Sequence, residues 1–252
     1  MFLANGTSPK ELLRKILRNP LKNVSTHNFA CSKDAAIWLY GEKYWEEGKV
    51  KVLPNAIDVT KFSYNINVRD EYRKQFELED AFVVGHVGRF QEQKNHIFLL
   101  EIFAKIAEKQ KNAKFVLVGD GPLREEMEQK ANRLGINEKI IFTGVREDEA
   151  KLMQMMDVFV FPSLFEGLGI VLIEAQATGL PCLTSKDVVP EEVKVTEQLQ
   201  FISLNESADR WAELAIKSND FYKRVSKTEE IRKAGYDIIE AAKKLEKFYL
   251  TR

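Results

Sequence analysis

The 252-residue chain sets 38 Lys plus Arg against 38 Asp plus Glu, a formal net charge of zero, so it lacks the basic excess of a general nucleic-acid binder. With 44% hydrophobic residues, 16 Phe, and only 13 Gly and 7 Pro, it can bury a substantial core and does not read as disordered. Two cysteines, Cys31 and Cys182, are too few and too far apart for a disulfide framework or a CxxC metal site, which fits a reducing cytosol.

No apolar stretch approaches the roughly 20 residues that span a bilayer, and MFLANGTSPK does not have the pattern of a secretory signal. Residues 1–24 hold Lys10, Arg14, Lys15, Arg18 and Lys22 against Glu11, with Leu12, Leu13, Ile16 and Leu17 at helical spacing after Ser8-Pro9. This predicts a basic amphipathic helix, either an ordinary surface helix or one that meets a partner or an anionic membrane through residues 10–22. A short helix is expected from Ser32-Lys33-Asp34 to Tyr40, closed by Gly41. A strand is expected at Val50–Leu53, and a turn or linker follows at Pro54-Asn55-Ala56-Ile57-Asp58.

From Ala81 the pattern changes. Phe82-Val83-Val84, Phe115–Val118, Ile140–Phe142, Val158–Phe161 and Cys182-Leu183 are short, apolar, and rich in β-branched and aromatic residues, as buried parallel strands are. Helix-length segments separate them at 96–110, 122–134, 147–156 and 171–178, and residues 206–250 read as mostly helical. Alternation of this kind predicts an α/β fold with a doubly wound, Rossmann-like parallel sheet. The expected organisation is a mostly helical segment at 1–53, a linker at 54–80, the Rossmann-like domain at 81–235 and a terminal helix at 236–252.

Open parallel sheets bind ligands beyond the carboxyl ends of their strands, so the loops there are the candidate sites. In Gly85-His86-Val87-Gly88-Arg89-Phe90-Gln91-Glu92-Gln93-Lys94-Asn95, Gly88 permits close backbone approach, and Arg89 and Lys94 precede a helix start; the segment fits a diphosphate site or a solvated loop. Val118-Gly119-Asp120-Gly121-Pro122 lacks the third glycine of a dinucleotide fingerprint and is read as a turn. Thr143-Gly144-Val145-Arg146 leaves a strand with main chain that could meet a nucleobase edge. The most specific segment is Pro162-Ser163-Leu164-Phe165-Glu166-Gly167-Leu168-Gly169-Ile170-Val171-Leu172-Ile173-Glu174-Ala175. Its glycines expose amides at a helix start, and Glu174 sits in an otherwise apolar helix, where it needs a polar partner: ribose hydroxyls, or an internal salt bridge. His86 and His96 have no third ligand and are not read as a metal pair; His27 is read as a surface residue.

GRFQEQKN, VGDGP, FTGVR and EGLGIVLIEAQATGLP, in that order, resemble the C-terminal half of retaining family 4 glycosyltransferases of the GT-B architecture, most like those that build bacterial capsular polysaccharide and exopolysaccharide. PNAIDVTKF resembles the interdomain linker of that family, with Ala56 at the usual glycine. The resemblance implies that Arg89 and Lys94 hold the diphosphate of a sugar nucleotide and stabilise the leaving group without a metal or cofactor. It further implies that Glu166 binds donor hydroxyls with amides of Gly167, Leu168 and Gly169, continued by Ile170 and Val171. Glu174 would bind the ribose, Gly88 would approach the donor, and the main chain of Val145 and Arg146 would read a base expected to be uracil, with guanine as the alternative.

The resemblance starts near residue 30, whereas family members carry a complete N-terminal acceptor domain of roughly 100 to 150 residues. The expectation is therefore a cytoplasmic donor-binding half, peripheral at the membrane through residues 10–22 and feeble alone in transfer to a polysaccharide or lipid-linked acceptor. The alternative is a non-catalytic sugar-nucleotide-binding subunit completed by a partner chain.

Overall fold

Apolar runs bounded by glycine and polar turns become strands in a computed structural model that describes residues 24–218 and 223–251. The basic segment at 10–22 lies outside those residues. The chain divides into two compact units at Pro54.

In the first unit, strands β1 (Asn28–Ala30) and β2 (Val50–Val52) pair in parallel, joined through helices α1 (Lys33–Tyr40) and α2 (Glu42–Glu46). Ser32 caps α1 by accepting from the Ala35 amide at 3.0 Å, and Gly41 ends it at φ 88°, as the sequence predicts. Ala36, Tyr40 and Val50 form its small core. The segment expected to be mostly helical thus also holds a two-stranded sheet, because its short alternating runs find each other as partners.

The second unit contains α3 (Ile66–Gln75), β3 (Phe82–Val87), α4 (His96–Lys109), β4 (Ala113–Val118), α5 (Arg124–Arg133), β5 (Ile140–Gly144) and α6 (Glu149–Met155). It continues with β6 (Val158–Phe161), α7 (Ile170–Ala177), β7 (Cys182–Ser185), β8 (Leu199–Ile202), α8 (Ala208–Lys217), α9 (Thr228–Lys233) and α10 (Ile238–Leu250). The strands form one parallel six-stranded sheet in the order β5-β4-β3-β6-β7-β8. The order reverses between β3 and β6, which makes their carboxyl ends the switch point where such sheets open a crevice. Leu99, Ile102, Phe103 and Ile106 of α4 pack with Phe115, Leu117 and Trp211 in a fully buried core. Strand β8, absent from the expected elements, is an edge strand whose exposed Gln200 interrupts its apolar run.

Residues 54–80, expected as a linker, carry α3, which is bound into the fold by charge. Asp157, just before β6, accepts from Arg69 and from Arg73 Nη1 (3.2 Å to each oxygen), and its Oδ2 accepts from the Val83 amide at 2.7 Å. Arg69, Arg73 and Arg224 also donate to the Met153, Gln154, Met155 and Met156 carbonyls, which the end of α6 leaves without helical partners. Burial, then the neighbouring charge of Arg69, pulls Arg224 down to about 9. Because removing one member of a buried ion pair strands its partners, Asp157→Ala should lower unfolding free energy by about 3–5 kcal/mol in urea titrations.

Candidate functional site

The loops after β3, β4 and β5 are joined through their main chains. The Gly88 amide donates to the Val118 carbonyl (3.0 Å), Phe90 to Asp120 (3.0 Å), and Gly119 to Gly144 (2.9 Å). Gly119 has φ +130°, and a Cβ there would lie 2.2 Å from the Gly88 carbonyl oxygen, so only glycine allows the two loops to touch. Between them opens a cleft of about 460 Å³, lined by Gly88, Arg89, Gly119, Asp120, Val145, Arg146 and Glu149 among others. The expected site residues Gly88, Arg89, Val145 and Arg146 therefore meet at one place. Gly119, Asp120 and Glu149 are additions. The first two lie in a segment read as a simple turn, although its position after a strand was the signal; Glu149 has no local signal.

The Arg89 side chain is exposed and makes no hydrogen bond or ion pair among the described residues, which leaves a free cation at the cleft. Arg146 is bound instead, donating Nε and Nη2 to Asp148 at 2.8 and 2.7 Å.

Lys94 and Glu166, assigned to the same ligand by the resemblance, also meet each other: Nζ donates to Oε1 at 2.6 Å, with side chains only 15% and 7% exposed. The contact bridges the loop after β3 and the loop after β6, across the switch point. Ser163 donates to the Glu166 carboxylate, and the Phe161 ring lies 4.7 Å beneath the ammonium. Gln93 clasps the same two loops: its Nε2 donates to the Phe165 carbonyl at 2.9 Å, and its own carbonyl accepts from the Leu164 amide at 2.8 Å. Gly167, Leu168 and Gly169 form the turn that follows. Gly169, in the left-handed region at φ 82°, starts α7, so the amides of Ile170 and Val171 fall in its first turn, where a helix has no internal acceptors.

Glu174 lies on α7 among buried neighbours and has no side-chain hydrogen bond or ion pair among the described residues; the internal salt bridge weighed from the sequence does not form there. Burial first, and the negative charge of Glu149 second, push its carboxyl up to about 7. Glu174 is not among the residues that line the cleft, but the charge of Glu149, which is, reaches it.

His86 and His96 are fully buried with ring centroids 4.9 Å apart, and His86 Nδ1 lies 2.9 Å from the Val160 carbonyl. Burial holds His86 well below its usual value and His96 near 4, so both are neutral packing beneath the loop. Among the described residues, no group of three or more His, Cys, Asp or Glu could hold a metal ion. His27 is exposed.

Gly119→Ala should cost about 2–3 kcal/mol of stability, since it combines backbone strain with a collision between the two loops. Gly135→Ala, at φ +68° with open space around it, should cost about 1 kcal/mol, as urea unfolding of the two variants would register.

The model of the family described as "Glycosyl transferases group 1" matches residues 68–246. A putative glycosyltransferase EpsF of Bacillus subtilis (strain 168) is 40% identical over 185 residues, 73% of this chain and 48% of that protein. The UDP-Gal:alpha-D-GlcNAc-diphosphoundecaprenol alpha-1,3-galactosyltransferase of Escherichia coli is 36% identical over 148 residues, 57% of this chain and 38% of that one. The chain thus spans about half the length, or less, of these curated relatives. Among solved structures, that of Anabaena Alr3699/HepE in complex with UDP and glucose superposes with a TM-score of 0.79 at 20% identity, covering 97% of this chain and 69% of that one, a likeness of fold. With a doubly wound sheet, a glycine-lined cleft at its carboxyl edge, and a family match over most of its length, this chain belongs to the glycosyl transferases group 1 family.

Proposed function

We propose that the cleft of residues 55–252 binds the nucleoside diphosphate of a sugar nucleotide, a UDP-sugar, and that the chain is the donor-binding half of a hexosyltransferase acting with retention. The single observation that carries this reading is the cleft itself. A free guanidinium, Arg89, and glycine-rich main chain line it, and the unpartnered carboxyl of Glu174, outside the lining, is within electrostatic reach of Glu149, which lines it. Guanidinium and main-chain amides suit a diphosphate, and a carboxylate suits the vicinal hydroxyls of a ribose. At the switch point the Lys94–Glu166 pair divides the labour: the ammonium meets departing phosphate oxygens, and the carboxylate accepts from sugar hydroxyls, aided by the amides from Gly167 to Val171. The acceptor attacks from the leaving-group face, and a phosphate oxygen takes its proton while Arg89 and Lys94 stabilise the developing charge. This chemistry asks for no metal and no cofactor.

The E. coli relative, named for UDP-galactose and a diphosphoundecaprenol acceptor, supports a uridine donor and a lipid-linked or polysaccharide acceptor in capsule or exopolysaccharide assembly. Acceptor recognition is assigned to a surface outside this cleft, on another domain or a partner chain, so the chain alone transfers feebly. The reading places the reaction in the cytoplasm, with residues 10–22 as the peripheral membrane contact. No helix among the described residues is long and apolar enough to cross a membrane.

Calorimetric titration should show UDP bound more tightly than GDP or ADP, with Arg89→Ala and Glu174→Ala each weakening UDP at least tenfold; parent-like affinity in both variants would overturn the assignment. The pH dependence has a defined sign. Hydroxyls bind the ionised Glu174, so UDP affinity should rise with pH through about 7, with a proton released on binding. In the free protein the raised value favours the protonated carboxyl, so stability is lost as pH rises from about 4.5 to about 7. Glu174→Gln should therefore stabilise the free protein by up to about 3 kcal/mol at pH 8 and by little at pH 4, read from melting curves at both pH values.

A further inference from the structure

At the amino ends of the strands, opposite the donor cleft, a second cavity of about 440 Å³ opens where Asp157 and Pro181 precede β6 and β7. Arg69, Lys223 and Arg224 line it, and Asp157 is the one acid in its lining. That acid is already spent. Arg69 and Arg73 donate to its Oδ1, and Arg73 and the Val83 amide donate to its Oδ2. Two guanidinium groups thus share one carboxylate, Arg224 has only neutral hydrogen-bond partners, and the open end of α6 offsets at most about half a charge. Exposed Lys223 adds a further cation.

The cations differ in what they have left to give. Arg224 spends every N–H on the carbonyls of Met153, Gln154, Met156 and Thr178 and on the Thr178 hydroxyl, so it contributes charge without a free donor. Arg69 donates through Nη1 and Nη2 only, which leaves its Nε unspent among the described residues. The Lys223 ammonium has no partner there, and neither has the Tyr64 hydroxyl, whose ring lies 4.7 Å from the Arg224 guanidinium. A guanidinium edge, an ammonium and a phenol are therefore unspent donors on one cavity of net positive charge. Burial first, and the charge of Arg69 second, pull Arg224 down to about 9, and a negative group in the cavity offsets that second cause. A tetrahedral dianion meets donors from several directions and answers more than one excess charge, as a single carboxylate does not. We infer that this cavity is a second anion site, which takes the phosphate group of free phosphate or of a small phosphomonoester, with Lys223, Arg69 Nε and the Tyr64 hydroxyl as donors. Ile66, 52% exposed, gives the organic part of an ester apolar surface beside them.

The test follows the melting temperature of the Arg89→Ala chain, in which the free cation of the donor cleft is gone, during titration with inorganic phosphate and with glycerol 3-phosphate at pH 8. Sodium chloride holds the ionic strength constant throughout, so general screening contributes no shift. Both compounds should raise the melting temperature. Adding Lys223→Ala should weaken both about tenfold, and adding Tyr64→Phe about threefold, the scale of one lost hydrogen bond to a charged group. Lys223→Glu, which brings a carboxylate to the cavity, should raise the melting temperature without phosphate and remove the response to it. Tighter binding of glycerol 3-phosphate would assign the site to an ester, and tighter binding of inorganic phosphate to the free ion. An undiminished phosphate response after Lys223→Ala, a Lys223→Glu chain that melts lower than its parent, or no response of the Arg89→Ala chain to either compound would overturn the inference.

Discussion

The fold turns on one residue, Asp157, which fixes the pairing of β3 with β6. Its amide donates to the Val83 carbonyl at 2.7 Å, and its carboxylate accepts from the Val83 amide at 2.7 Å. The ladder beyond that point has only two aligned residue pairs, Val84 with Val158 and Gly85 with Phe159. Where the strand order reverses, the sheet has its shortest register among the described strands, and charge does part of the holding. Two guanidinium groups on one carboxylate, with that of Arg224 on the neighbouring carbonyls, would repel one another were the open end of α6 not beside them. The carbonyls of Met153 to Met156 need donors, and the negative end of the helix dipole favours cations.

Asp157 sits at the amino end of this strand pair, and Lys94 meets Glu166 beyond its carboxyl end. Fixing the near end fixes which loops face each other at the far end. That is why an ammonium from the loop after β3 and a carboxylate from the loop after β6 come within 2.6 Å, although 72 residues separate them. Gln93 and Ser163 then lock the same two loops by main-chain and hydroxyl contacts. Little of this depends on mobile surface side chains: both members of the pair are mostly buried, where an ion pair keeps its geometry only if every neighbouring polar atom is satisfied.

Elsewhere the site leaves charge uncompensated. Most buried ionisable groups of this fold are paired, as Asp157, Arg73, Lys94 and Glu166 are, whereas Glu174 is left without a partner among the described residues and its carboxyl is driven up to about 7. Such a group lowers the stability of the free protein and gives a ligand with hydroxyls something to bind. Arg89 and Arg146 divide the cleft on the same principle, one cation kept open and one neutralised by Asp148.

The sequence by itself determined strands β3 to β7, the helices between them, and the motif residues. Runs such as Phe115–Val118 and Val158–Phe161 are apolar without alternation, which only a strand covered on both faces tolerates, and Ser32 and Gly41 mark the ends of a helix by local hydrogen bonding and backbone freedom. The FTGVR and EGLGIVLIEAQATGLP segments carried the family and the positions of Val145, Arg146, Glu166 and Glu174, because a strand-to-loop-to-helix turn is a local feature of the chain. Only the tertiary structure decided which charges are spent and which are free. The Lys94–Glu166 pair, the Tyr72–Asp148 hydrogen bond, the Arg69 and Arg73 pairing with Asp157, the bond from Arg224 to the Met156 carbonyl, and the entry of Gly119 and Glu149 into the cleft all join residues that the chain keeps apart. Charge pairing depends on distance across the sheet and on burial, and neither is written in local spacing.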